Sequence, residues 1–115
     1  MSDKKKAIWL TYDFGLKGDY TGLFTWLDNH KAVECGSGMA FFKFETNLNK
    51  FSDILEQLKS ELLDSIKLSQ TDRLYAIIRD EDTNLIKGKF ISGSRRESPW
   101  QGYGKIRNND YADTE

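Results

Sequence analysis

The chain has 115 residues, 38% of them hydrophobic, and a formal net charge of −1, which suits one domain with a single core and leaves no room for a second. Because the charges nearly cancel, no global field attracts nucleic acid or an anionic membrane, and any such binding must come from a local patch. With one cysteine, Cys35, an intramolecular disulfide is impossible, and one cysteine with one histidine, His30, is too few for a structural zinc site. We interpret Cys35 as a small apolar filler at a hairpin and expect His30 in a structural role near the end of the first helix.

The N-terminal segment is short and basic. Residues 1–6 contain three consecutive lysines that repel one another and offer nothing to bury, so we expect a disordered leader there. The apolar run after it is short and contains Asp13, unlike a secretory signal, and no stretch offers the roughly 20 apolar residues of a membrane-spanning helix. We therefore expect a cytoplasmic protein without membrane contact.

The stretch from Ala7 to Phe14 predicts a central β-strand, because it is rich in aromatic and β-branched residues and carries apolar side chains on both alternating faces. Asp13 is the only charged residue in this stretch and comes just before Gly15, where the strand is expected to leave the sheet. It is the best single site candidate in the chain. The alternative is that its carboxylate accepts hydrogen bonds from the backbone of the following turn.

Periodicity predicts the remaining elements. Two amphipathic helices are expected at 19–29, with Asp19 as the capping residue, and at 50–66. Further strands are expected as a hairpin, an interior strand and an edge strand, at 31–36 with 39–45, at 73–79 and at 85–93. The acidic stretch 80–84 between the last two strands is expected to be a solvated turn.

The first helix has an apolar stripe at helical spacing. Tyr20, Leu23, Phe24 and Leu27 fall at i, i+3, i+4 and i+7 and are expected to face the core. Trp26 lies just off this stripe and is expected at the edge of the core.

The C-terminal segment, residues 94–115, mixes cations and aromatic residues with Pro and Gly and shows no regular element. Its candidate binding residues are Arg95, Arg96, Trp100, Tyr103, Lys105 and Arg107. Cations that follow phosphates and aromatic faces that stack bases are what a surface for single-stranded nucleic acid needs. The alternative is a tail that packs Trp100 and Tyr103 back onto the domain or onto a partner subunit. The last residues, from 108 onward, are expected to be disordered.

The element order predicts an α+β fold: a ferredoxin-like βαββαβ sandwich over residues 7–93 with an additional C-terminal edge strand. Its two helices would cover one face of an antiparallel sheet. The open face would then display Trp9, Thr11 and Asp13, and apolar groups there are unfavourable in water. We therefore expect a homodimer or a docked partner.

Three features carry a resemblance to a known group: the opening strand Leu10-Thr11-Tyr12-Asp13, the element order through residue 93, and a long helix before the last interior strand. The chain resembles the CRISPR-associated Cas-two protein and virulence-associated protein D, which are small ferredoxin-like homodimers. In that group an aspartate at the end of the first strand is associated with a divalent metal at the dimer cleft. The resemblance implies the same role for Asp13.

Two functions follow from these observations. The first is a small dimeric binding module, without a cofactor, that recruits RNA, DNA or a protein partner through the open sheet face and the C-terminal segment. The alternative is a divalent-metal-dependent endoribonuclease in which Asp13 of each subunit holds Mg²⁺ or Mn²⁺ and is the catalytic residue.

Overall fold

A computed structural model describes residues 4–104, which form an α+β domain of two helices and a five-stranded antiparallel sheet. The α+β prediction is thereby confirmed. In chain order the elements are β1 (Lys5–Asp13), α1 (Tyr20–Asn29), β2 (Val33–Glu34), β3 (Met39–Glu45), α2 (Phe51–Ser65), β4 (Arg73–Asp80) and β5 (Leu85–Ser92). Within the described residues, neither helix is long and apolar enough to cross a bilayer.

The sheet has the order β2-β3-β1-β4-β5, so β1 is its central strand, as the sequence predicts. Each side of β1 pairs antiparallel, with β3 on one side and β4 on the other. β4 is an interior strand and β5 an edge strand, again as predicted. β2 is far shorter than the expected 31–36. It has only two residues, because only Val33 and Glu34 pair with β3.

One face of the sheet forms the core with both helices. Alternate residues such as Ile8 and Leu10 on β1 and Phe42 on β3 are fully buried. They belong to one hydrophobic cluster with Leu23 of α1 and Leu58 of α2, so both helices cover the same face. Burying each such side chain stabilises the fold by about 1.5–3 kcal/mol, which fixes the register and leaves the alternate set of residues on the other face.

The N-terminal leader is shorter than expected, because β1 begins at Lys5. Lys6 is only 8% exposed, and its ammonium bonds Glu81 in the β4–β5 turn and Asn49 Oδ1 at 3.2 Å. These partners compensate for burying the charge, and they draw residues 5 and 6 into the sheet. Of the predicted leader, residues 1–3 lie outside the described part of the chain.

The buried face of α1 is rotated from the predicted stripe. Trp26 is buried and stacks on His30 with ring centroids 3.7 Å apart, whereas Phe24 is 50% exposed and Tyr20 is 37% exposed. The two exposed rings instead pack at the margin of the core against Tyr12. Gly22, four residues before Trp26 and therefore on the same side of the helix, lies close to the Ser65 carbonyl of α2.

That glycine gives a first prediction. Gly22 lies where a Cβ would come within 2.7 Å of the Ser65 carbonyl oxygen and 2.5 Å of Asp19 Oδ2. Alanine is favoured over glycine by about 1 kcal/mol inside a helix, yet the forced separation of the helices costs about 1–3 kcal/mol. We expect Gly22→Ala to lower the urea midpoint of unfolding. Thr25→Ala at an exposed position of the same helix is the control, and an unchanged or higher midpoint in Gly22→Ala would contradict the close contact.

The turn between β4 and β5 is not simply solvated, because Asp80 is 5% exposed and its carboxylate accepts from Lys87 Nζ at 2.8 Å. This hydrogen bond from Lys87 outweighs burial and, with bonds from Asp82 N and Thr83 Oγ1, lowers the pKa of Asp80 below its usual 3.8. The hydrogen bond from Lys6 lowers the pKa of Glu81 below 4.5 in the same way.

These shifts predict a loss of stability in acid. A carboxylate whose pKa is lower in the folded than in the unfolded state stabilises the fold above its unfolded pKa, and that stability is lost as pH falls through the folded pKa. We expect the melting temperature to fall as pH is lowered below 4.5 and on below 3.8. Thermal melts followed by circular dichroism should show a smaller fall for Lys87→Met. An identical fall in the variant would show that this ion pair does not contribute.

Candidate functional site

The face of the sheet opposite the helices carries two pairs of contacting aromatic rings. Trp9 on β1 and Phe41 on β3 are direct cross-strand partners with ring centroids 4.9 Å apart. Tyr75 on β4 and Phe90 on β5 are also partners, with centroids 4.7 Å apart. Tyr75 in turn lies opposite Thr11, which is two residues along β1 from Trp9 and on the same face. The four rings therefore cross four adjacent strands, a track of about 15 Å at roughly 4.8 Å per strand spacing.

The second ring pair depends on two local features of the β4–β5 ladder. Tyr75 comes opposite Phe90 in the register that runs unbroken from the β4–β5 turn, and the register shifts only beyond this pair, between Tyr75 and Leu74. Gly88 leaves the space that the Tyr75 ring needs, since a Cβ at this position would lie 2.3 Å from the Tyr75 hydroxyl oxygen. The register and the glycine together let the ring lie across the edge strand.

Charged groups on this face are mostly cationic. The cations on the open-face positions of the strands, or over them, are Lys5, Lys43, Arg73, Arg79 and Arg95. The carboxylates on the same face are Asp13 and Glu45. Because the whole chain has a net charge of −1, this face is opposite in sign to the molecule as a whole. This face is therefore a local cationic patch, which the nearly neutral composition of the whole chain does not reveal.

The C-terminal segment brings one of these cations to the rings. Residues 94–104 contain turns and bends but no helix or strand, and they begin at the end of β5. The Arg95 guanidinium carbon lies 5.8 Å from the Tyr75 ring centroid and 5.6 Å from that of Phe90. Both distances are within the range of a cation–π interaction.

The predicted binding residues of this segment are only partly brought together. Arg95 lies over the rings, and Arg96 approaches Asp13, with Nη1 and Oδ2 3.9 Å apart. Trp100 is 70% exposed and Tyr103 is 86% exposed, so packing of these rings onto the domain, the alternative considered from the sequence, does not occur. Lys105 and Arg107, like the residues expected to be disordered from 108 onward, lie outside the described residues.

Asp13 stands at the end of β1, as predicted, but its carboxylate is held by an arginine. Oδ2 accepts from Arg73 Nη2 at 2.7 Å, and the side chain is 55% exposed. It does not bond the backbone of the next turn, the alternative role considered from the sequence. Asp72 takes that role, because its Oδ1 accepts from Gly15 N at 2.9 Å.

Asp72 is a structural residue that sequence reasoning missed. It is 1% exposed, and its Oδ2 accepts from Ser69 N at 2.9 Å. Burial raises the pKa of this carboxyl, but the hydrogen bonds from the Ser69 and Gly15 amides outweigh burial and lower it overall. The ionised side chain thus joins the turn before β4 to the chain leaving β1, and so fixes the end of β1 that carries Asp13.

Within a single subunit, the surroundings of Asp13 offer a divalent cation few of the ligands that it prefers. Mg²⁺ and Mn²⁺ prefer several oxygen ligands, and a site usually needs more than one carboxylate or a substrate phosphate. Among residues 4–104, no three His, Cys, Asp or Glu side chains form a group that could hold a metal ion. The nearest charged partners of Asp13 are instead Arg73 and Arg96, whose positive charges repel a cation.

A groove of about 920 Å³ lies beside Asp13, at the end of the aromatic track. Its lining includes Tyr75, Phe90, Arg95 and the loop of the β2–β3 hairpin, residues 36–38. The loop turns tightly because Gly38 has a φ of +77°, and its carbonyl accepts from Tyr12 N at 2.8 Å. The groove thus combines aromatic rings, guanidinium groups and two carboxylates, that of Asp13 and that of Glu34, whose Oε2 accepts from Gly36 N at 2.9 Å.

Cys35 and His30 take no part in this arrangement. Cys35 is exposed in the hairpin loop, so it does not fill the interior as expected. His30 closes α1 as predicted, with Nδ1 2.8 Å from the Trp26 carbonyl oxygen and Nε2 3.6 Å from Glu61 Oε1. Both contacts are structural.

Comparison with known proteins identifies no relative: no family model, no curated protein and no solved structure matches the chain.

Proposed function

We propose that the protein binds single-stranded nucleic acid across the open face of its sheet. The observation that carries this proposal is the track of four aromatic rings across β3, β1, β4 and β5 on a cationic face. Base–aromatic stacking contributes about 1–3 kcal/mol per base, and lysine and arginine side chains follow the phosphates. The two ring pairs give stacking faces for about two or three bases.

Single strands fit this surface better than a duplex. All four rings are partly buried in the sheet face, and only an unpaired base can present its own face to such a ring. The cations on either side of the track, Lys43 near Trp9 and Arg95 near Tyr75, are placed to contact the backbone of a strand that crosses the sheet. Binding of this kind is tolerant of sequence and sensitive to salt.

The chain topology supports the ferredoxin-like plan as part of the proposal. In that plan two βαβ units interleave so that the first strand lies between the third and the fourth, as in the order β2-β3-β1-β4-β5. β5 is then the additional edge strand, and one sheet face is left open. Kinship with the Cas-two and virulence-associated protein D group, and with it the metal-dependent ribonuclease alternative, stays a prediction.

A second copy of the chain on the same face is the second candidate, and it corresponds to the homodimer expected from the sequence. It is favoured by exposed apolar side chains on this face, such as Ile86 at 64% and Val33 at 56%. Two identical faces would, however, bring Lys43, Arg73 and Arg79 toward the same cations of the other copy. Such like-charge contacts oppose association, whereas a polyanion is attracted. We therefore rank nucleic acid above self-association and above a protein partner.

Fluorescence anisotropy with short fluorescein-labelled single-stranded RNA and DNA tests the proposal. If about three or four phosphates are contacted, raising salt from about 50 to about 200 mM should weaken binding about 20- to 50-fold. A hairpin duplex of the same length should bind more weakly than either single strand. Absence of binding at low salt, or affinity indifferent to salt, would overturn the proposal. A stable dimer in light scattering without binding would favour the second candidate.

A further inference from the structure

The groove at the Asp13 end of the track contains a carboxylate, and phosphate binding does not explain its presence there. A carboxylate beside a polyanion is unfavourable, because like charges repel. Asp13 nevertheless lines the groove beside Tyr75 and Phe90, with a side chain that is 55% exposed. A carboxylate in a nucleic-acid site can accept hydrogen bonds from base N–H groups, a role that phosphate binding does not use.

Building on the proposed function, we infer that this groove is a base-selective subsite in which Asp13 recognises guanine. Asp13 lies opposite Arg73 and is therefore a diagonal neighbour of Tyr75 on the same face, at a Cα separation of about 7–8 Å. A base that stacks on Tyr75 can thus direct its hydrogen-bonding edge at the carboxylate. Arg95, on a segment without helix or strand, moves from its place over the rings to admit the base.

The carboxylate is already oriented for this role. Arg73 Nη2 holds Oδ2 at 2.7 Å, and within the described residues Oδ1 accepts no hydrogen bond. An ionised carboxylate has about four acceptor positions, so it can keep the arginine and still accept two more donors. Because Arg73 fixes the carboxylate in the free protein, little side-chain entropy is lost on binding.

Guanine is the base that fits such an acceptor. Its Watson–Crick edge presents N1–H and the N2 amino group side by side, so both can donate to the two oxygens of one carboxylate. Adenine, cytosine and uracil each present a single donor group beside an acceptor nitrogen or oxygen, which a carboxylate repels. A bidentate contact of this kind discriminates by about tenfold or more between the right base and a wrong one.

The test compares two fluorescein-labelled probes in anisotropy titrations: a short oligouridylate, and the same strand with one central guanine, which avoids guanine quadruplexes. The wild type should bind the guanine probe about tenfold more tightly than the oligouridylate. Asp13→Asn should reduce this ratio to near one without weakening the oligouridylate. Glu45→Gln removes the other carboxylate of the open face, far along β3, and should keep the ratio.

The outcomes separate this inference from the proposed function. Binding of both probes with equal affinity by the wild type overturns the guanine subsite and leaves single-strand binding intact. A preference that survives in Asp13→Asn overturns the role of Asp13. A third probe, with a central adenine in place of the guanine, should bind more weakly than the guanine probe; tighter binding of the adenine probe also overturns the role of Asp13, because adenine offers the carboxylate only one donor group. If neither probe binds, the proposed function itself fails, and the subsite with it.

Discussion

Replacement of Asp72 by alanine should lower the free energy of unfolding by about 2–4 kcal/mol, because two backbone amides lose a buried, charged acceptor. Gly15 N and Ser69 N each donate to this carboxylate at 2.9 Å, and Asp72 is only 1% exposed. Water does not readily replace the lost oxygens at such a depth. Urea denaturation followed by circular dichroism measures the change.

Two further variants make the Asp72 result specific. Asp72→Asn keeps one acceptor oxygen and should lose less stability than the alanine variant. Asp82→Ala, at an exposed aspartate of the β4–β5 turn, should change stability by less than about 0.5 kcal/mol. A loss below about 1 kcal/mol in Asp72→Ala would show that the two turns hold together without the carboxylate.

Removing one ring from each pair is expected to have the largest effect on binding. Trp9→Ala and Tyr75→Ala should each weaken single-strand binding by about 5- to 150-fold, the equivalent of about 1–3 kcal/mol per stacked base. The double variant should bind about as weakly as a surface that contacts only the phosphates. Both residues are only partly buried, so the variants should keep the circular dichroism spectrum of the wild type.

Phe24 offers a matched control for the aromatic variants. It is an aromatic residue 50% exposed on α1, away from the open face, and Phe24→Ala should leave affinity unchanged. Trp100→Ala distinguishes the open face from the C-terminal segment, since Trp100 is exposed but apart from the track. A larger loss in Trp100→Ala than in Trp9→Ala would contradict binding centred on the sheet.

The sequence predicted the fold well because its periodicities are strong. The two-sided apolar pattern around Trp9 placed β1 at the centre of the sheet, and apolar residues at helical spacing located both helices. These patterns reflect burial, which is the largest favourable term in folding. The position of Lys6 was not predictable, because its partner Glu81 lies 75 residues away in the sequence.

The candidate site was predicted only in part. Asp13 and the open-face position of Trp9 followed from the alternation of β1, and Arg95 was identified from its charge. The Tyr75–Phe90 pair was missed, because the contact of the two rings depends on the space left by Gly88, which no local pattern in the sequence indicates. One face of β4 is nevertheless indicated as amphipathic, because its alternate residues mix charged and apolar side chains: Arg73, Tyr75, Ile77 and Arg79.

Photocrosslinking reports where a bound strand lies, and so tests directly whether single-stranded nucleic acid binds across the open face of the sheet. A short oligouridylate with 4-thiouridine is irradiated with the protein, and crosslinked peptides are identified by mass spectrometry. Binding across the open face predicts crosslinks in β1, β3, β4 and β5, at or beside Trp9, Phe41, Tyr75 and Phe90, and predicts that they are lost at high salt. Crosslinks confined to the helices α1 and α2, or to the segment that carries Trp100, would contradict it.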